Sequence, residues 1–321
     1  MIQFAQGRYL WQIPKGVYRD INLSLEQSTN YDFGGNLNRF RYELQGNVNW
    51  VNNWSTNGGV GSSSKIHRNA FLRGGPRWRA ADDVFYYASI NSDRSKKFSF
   101  RVGYVNVRSD EDVFKRDRYT FRINYQPFDS FSMSLNNEFS QTVDRTQYVS
   151  TVEFSNSKRY ILGKINNDTW SSTLRLNYSL NPNFSVQFYG QPYISRGRYS
   201  DFSFVNNPVA SSFKNRVNFY NENQISETTT STGASLYVVD ENLNNDTYSF
   251  SKPDFSFVQL QTNLVVRWEY TPGSELFFVW ARGSAGSQNF NDSLTDSVSN
   301  QVFDVPANDT FLIKATYRFL K

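Results

Sequence analysis

Between residues 40 and 50, Phe40, Tyr42, Leu44, Gly46, Val48 and Trp50 share one parity, and Arg41, Glu43, Gln45, Asn47 and Asn49 share the other. Successive side chains of a β-strand point to opposite faces, so this period of two predicts a strand with one apolar and one polar face. The pattern returns over 98–104, 119–125, 131–135, 174–180, 184–188, 260–270 and 276–280. Near the end, Phe311, Ile313, Ala315, Tyr317 and Phe319 alternate with Leu312, Lys314, Thr316 and Arg318. We count about twelve runs of roughly 9–12 residues by this test. Their starts lie near 17, 37, 54, 83, 97, 116, 131, 164, 184, 256, 274 and 309.

Turn chemistry separates the runs. Pro127-Phe128-Asp129-Ser130, Asn181-Pro182-Asn183 and Thr271-Pro272-Gly273-Ser274 carry residues that preset or tolerate turn dihedrals. Short connections near 52, 94, 129, 182 and 272 alternate with long ones at 30–36, 66–82, 109–115, 143–163, 198–255 and 284–308. Strands of this length, with short turns at one end and long loops at the other, are the layout of a transmembrane barrel. The expected fold is therefore all-β: an antiparallel transmembrane β-barrel of the bacterial outer membrane with about twelve strands. The expected division is a lead-in over 1–16 and the barrel over 17–321. An even strand count puts both chain ends on the short-turn side. The stretch 69–80 does not alternate and reads as an inward-folded loop or an extra strand; a strand there would break that parity.

Composition supports the two-faced pattern. Aromatic residues make up 17% of the 321, yet mean hydropathy is −0.61. One strand face meeting lipid and one meeting water needs that mixture. Trp50, Trp54, Trp268, Tyr270, Trp280 and Tyr317 sit at run ends, as interfacial aromatic girdles do. No run of 18 apolar residues exists, which excludes a helical membrane span. With no cysteine there is no thiol nucleophile, disulfide or zinc–thiolate site. The 34 basic and 29 acidic residues are dispersed, so no nucleic-acid stripe is expected. Residues 1–16 contain no secretory signal, and we expect the chain to be the back part of a longer protein.

Several segments carry a family resemblance. They are Leu72-Arg73-Gly74-Gly75-Pro76, Asn91-Ser92-Asp93-Arg94-Ser95-Lys96-Lys97, Leu174-Arg175-Leu176-Asn177-Tyr178 on to Pro192-Tyr193-Ile194, the run NLVVRWEYTPG at 263–273, Phe278-Val279-Trp280 and Phe311-Leu312-Ile313-Lys314. Together, from about residue 37 to the end, they resemble the C-terminal barrel of a large family of bacterial outer-membrane proteins of unknown function. Members carry an N-terminal β-sandwich similar to family-9 carbohydrate-binding modules, which is absent from this sequence. The resemblance implies an outer-membrane location and makes an oligosaccharide a candidate partner, but supplies no catalytic residues. The terminal aromatic pair Tyr317 and Phe319 resembles the signal by which barrel assembly machinery recognises its substrates. The other expected partner is outer-membrane lipid.

Candidate chemistry falls on the polar parity. Arg41, Glu43, Arg101, Arg122, Arg175, Arg267, Glu269, Lys314 and Arg318 are expected to face the lumen. They form either a charge network that fills the interior or a weakly anion-favouring path for small polar solutes. The leading expectation is a pore or transport-associated channel, the alternatives being an anchor with a filled lumen and a rim hydrolase using His67. No local motif gives that single histidine an orienting acid and a nucleophile, so no enzyme activity and no cofactor are expected. Residues 240–246 are rich in oxygen donors but lack the glycine and closing glutamate of a calcium loop; 289–296 are similar, and no metal is assigned. The segment 199–254 is long for a loop and contains Phe213, Phe219, Tyr220 and Tyr237, which suggests order.

Overall fold

The alternating runs form strands, and a computed structural model describes residues 1–287 and 306–319 of the chain. In chain order the strands are β1 (Ile2–Trp11), β2 (Tyr18–Tyr31), β3 (Leu37–Trp50), β4 (Ser55–Ser64), β5 (His67–Arg68), β6 (Trp78–Arg79), β7 (Asp83–Asn91) and β8 (Phe98–Ser109). After a short 3-10 turn at Asp110–Asp112 come β9 (Phe114–Phe128), β10 (Phe131–Phe154), β11 (Ser157–Asn181) and β12 (Phe184–Val205). A helical turn α1 (Phe213–Arg216) precedes β13 (Val217–Phe219), β14 (Ile225–Thr229), β15 (Ser235–Val239) and β16 (Tyr248–Ser251). The last three are β17 (Phe255–Thr271), β18 (Ser274–Ser287) and β19 (Ala307–Thr316).

One antiparallel meander dominates, in the order β1-β2-β3-β4-β7-β8-β9-β10-β11-β12-β17-β18-β19, with β13 beside the outer end of β12. The starts expected near 37, 83, 131, 184 and 274 coincide with β3, β7, β10, β12 and β18. Among the described residues nothing pairs β1 with β19, so the sheet is open along these two edges.

Several expectations change. The lead-in holds a full strand: β1 pairs with β2 from Ile2↔Asn30 to Trp11↔Ile21. Its own alternation is weak, and backbone pairing to the free edge of β2 organises it. Among the described residues the meander therefore has thirteen strands, and Ile2 lies at the long-loop end, not the short-turn end. Of the two alternatives for the stretch 69–80, the extra strand in the main sheet does not form; only the two-residue ladder of β5 and β6 brackets the stretch. The long loop expected over 143–163 is a tall hairpin, since β10 and β11 stay paired to Phe154↔Ser157. Ser155 and Asn156 turn it with φ of 48° and 58°, the left-handed pair that matches hairpin twist. Finally, β19 ends at Thr316, leaving Tyr317 and Phe319 beyond the last strand with their rings 4.8 Å apart. Of the expected connection 284–308, residues 288–305 lie outside the described residues, and so do 289–296.

Buried apolar contact is concentrated at the loop end. Ile161 and Leu162 adjoin in β11, so they point to opposite faces, and both are fully buried. Leu162 joins Leu72, Trp78, Val113, Phe213 and Val217; Ile161 joins Phe154, Phe202, Val239, Tyr248 and Phe250. The tall hairpin is thus clamped between the 65–82 loop with α1 on one face and the small sheet β14-β15-β16 on the other.

Candidate functional site

Register places like with like on each face of the meander. Leu264, Trp280 and Phe311 form one cross-strand row; Val266, Phe278 and Ile313 the next; Trp268, Leu276 and Ala315 a third. On β8 and β9 the same face carries the pairs Phe98↔Tyr125, Phe100↔Ile123, Val102↔Phe121 and Tyr104↔Tyr119. Large apolar side chains are exposed here, Phe311 to 65% and Ile313 to 70%. This apolar band stops at aspartates. The Trp280 indole Nε1 donates to Asp309 Oδ1 at 2.7 Å, and the Tyr104 hydroxyl donates to Asp117 Oδ1 at 2.5 Å. One step further are the ion pairs Arg282–Asp309 at 3.9 Å and Arg108–Asp117 at 2.7 Å. An amphipathic ring turning its polar atom away from an apolar belt is how an interfacial girdle is built.

The opposite face is polar, and there the anticipated lumen residues fall into three groups. In the first, Arg41 Nη2 meets Glu43 Oε2 at 2.6 Å and its guanidinium lies 4.0 Å from the Phe85 ring centre. Glu43 also accepts from the Tyr87 hydroxyl at 2.9 Å and stands opposite Glu26, which accepts from Gln6 and Gln45. Glycines make room for these rings. A Cβ on Gly61 would lie 2.6 Å from the Tyr42 carbonyl and closer still to Phe85, and one on Gly59 would meet Tyr87 at 2.8 Å.

In the second group Arg101 on β8 directly opposes Arg122 on β9, and Arg175 follows on β11 with its guanidinium 5.5 Å from the Tyr189 ring centre. The third lies towards the short turns. There Arg267 Nε donates to Glu275 Oε1 at 2.9 Å and Arg267 Nη2 meets Glu269 Oε2 at 3.2 Å. Lys314 sits 6.0 Å from the Phe277 ring centre, and the Arg318 backbone N–H donates to Ser274 Oγ at 3.0 Å. The nine residues are therefore not one cluster. Sequence reading missed Glu26, Tyr87, Tyr189 and Glu275; extending the period-two test along β2, β7, β12 and β18 would have put each on this face.

Charged groups at the loop end serve the buried clusters. Arg216 is 1% exposed and pairs with Glu111 at 3.1 Å, while Glu111 Oε2 accepts from the Phe213 N–H at 2.6 Å. Burial pushes the Arg216 guanidinium below its ordinary range. The Tyr220 and Tyr248 hydroxyls meet at 2.8 Å, Tyr248 donates to Glu241 at 3.0 Å, and burial raises both phenols. His67 Nδ1 donates to the Lys65 carbonyl at 2.9 Å, and burial lowers its pKa. Asp240 is occupied by the Asn244 and Asn245 amides at 3.0 and 2.9 Å. Among the described residues no three His, Asp or Glu side chains converge as metal ligands.

Comparison with known proteins gives three results. No curated protein matches the sequence. Among solved structures, the ferric yersiniabactin uptake receptor FyuA from Yersinia pestis aligns with 89% of this chain at 8% identity and a TM-score of 0.36; the chain spans about 59% of that receptor's length. The family model described as domain of unknown function DUF5916 matches residues 2–320, nearly the whole length, and the chain belongs to that family.

Proposed function

We propose that this chain is the wall of an outer-membrane β-barrel that passes or gates small polar solutes and has no catalytic role. The observation that supports it is the division of one continuous sheet into an exposed apolar face, bounded by Trp280 and Tyr104, and a polar face carrying charged side chains in register. In hydrocarbon an unpaired sheet edge is very costly, so the two edges are joined in the membrane. Strands β1 and β19 both run from the loop end to the turn end, so a direct seam between them is parallel. Antiparallel closure takes an odd number of intervening strands. Lipid meets the apolar face, the barrel assembly machinery inserts the chain, and an oligosaccharide is a candidate solute.

The test is single-channel conductance of the refolded protein in planar bilayers, with heat-modifiable mobility on gels as the check on folding. Uniform openings are expected, and oligosaccharide-dependent block would identify glycan passage. Correct insertion with no conductance would defeat the pore reading. The second reading is then favoured, a filled barrel that anchors a surface assembly; the buried clusters at the loop end are what support it.

A further inference from the structure

Several arginines have an acid beside them: Arg41 has Glu43, Arg108 has Asp117, Arg216 has Glu111 and Arg267 has Glu269 and Glu275. Arg118 likewise has Glu138 and Arg159 has Glu241. The second polar-face group departs from this. Arg101 and Arg122 are direct cross-strand neighbours, and Arg175 lies two strands further on, opposite Ser134. Among the described residues none of the three forms an ion pair. Their recorded contacts are neutral: Arg122 Nε donates to Asn136 Oδ1 at 3.2 Å, and Arg175 lies over Tyr189. Like charges directly opposite on one sheet face destabilise it. Between Arg122 and Arg175 opens a hollow of about 390 Å³ whose other lining residues are Asn124, Ser134, Asn136 and Thr173. Every one offers an N–H or O–H donor and none is a carboxylate. Both arginines are exposed to solvent.

We infer that Arg122 and Arg175, with Arg101 flanking them across the strand, form a binding site for a multiply charged oxyanion on the polar face of the sheet, an inference that rests on the pore reading for the ligand's route to the site. A guanidinium presents a planar fork of donors matched to carboxylate and phosphate oxygens. The amides of Asn124 and Asn136 and the hydroxyls of Ser134 and Thr173 add neutral donors to the lining, which contains no carboxylate. Arg101 lines the neighbouring hollow rather than this one, and an anion held by Arg122 and Arg175 offsets the repulsion between Arg122 and its cross-strand neighbour Arg101.

The test uses the full chain refolded in detergent, titrated calorimetrically with citrate and separately with inorganic phosphate. Binding of at least one anion is expected, weakened tenfold or more in Arg122→Gln and Arg175→Gln. Citrate alone would mark an organic polycarboxylate ligand, phosphate alone a phosphorylated one. Arg101→Gln should raise the melting temperature of the anion-free protein while weakening binding; a purely structural arginine would lower the first and leave the second unchanged. Absence of binding by the correctly folded wild-type protein, or binding unchanged in all three variants, overturns the site. Bilayer recordings separate the two readings. Conductance without arginine-dependent binding removes the site and keeps the pore; arginine-dependent binding without conductance removes the pore and keeps the site.

Discussion

The hairpin of β8 and β9 and the upper half of the hairpin of β10 and β11 are built from the same alternating strand, yet they are stabilised in opposite ways. In β8 and β9 one face is apolar and uncovered up to Tyr104 and Tyr119, and the other is polar. Among the described residues nothing covers the apolar side, and on the proposed reading lipid does so. In the tall part of β10 and β11 both faces are covered by protein, with Ile161 and Leu162 buried on opposite sides. That region carries its own buried apolar core. The change from uncovered to covered apolar surface occurs beyond Trp280 and Tyr104, which donate to Asp309 and Asp117.

The comparison can be broken in order of expected effect. Trp78 is 1% exposed in the loop-end core, so Trp78→Ala should cost roughly 3–5 kcal/mol of local stability. Limited proteolysis should then cut the 65–82 loop while heat-modifiable folding persists; loss of both together would mean that the two regions are one cooperative unit. Val266 lies in the middle row of the apolar face, and an arginine there should cost about 2–4 kcal/mol in lipid. Gln187→Arg, on the polar face opposite Val265, should be close to neutral. Equal effects in bilayer unfolding titrations would refute the assignment of the two faces.

Glu111→Ala leaves the Arg216 guanidinium buried without its carboxylate, which should cost about 1–3 kcal/mol and expose the loop to hydrogen exchange. The smallest effect is on pH. Burial holds His67 below its ordinary value of 6.5, so below that pH the unfolded loop binds more protons than the folded one. Stability of the 65–82 loop should therefore fall as pH drops through that value, and His67→Gln should abolish the dependence. A variant that keeps the full pH response would place the titrating group elsewhere.

Much of the fold was legible because a strand's two-residue period is a local property. The alternation around Phe40 and Arg41, and around Leu264 and Arg267, sorted both faces before any partner strand was known. Strand β1 was not legible, because Ile2, Phe4, Gln6, Arg8 and Leu10 mix apolar and polar residues on one parity. The tall hairpin was missed because its Ser155-Asn156 turn lacks glycine and proline. Its strands also stop alternating where both faces become buried.

The sequence by itself determined an all-β antiparallel chain with one apolar and one polar face and with loops concentrated at one end. Side-chain alternation and turn chemistry act over a few residues and can be read from them. Only the tertiary structure decided which strands are neighbours and in which register. That step set Arg101 against Arg122, brought Leu72 and Trp78 to Leu162, and left β1 and β19 running in the same direction at the open edges. Those outcomes depend on backbone pairing and burial between residues far apart in the chain, and no local pattern encodes them.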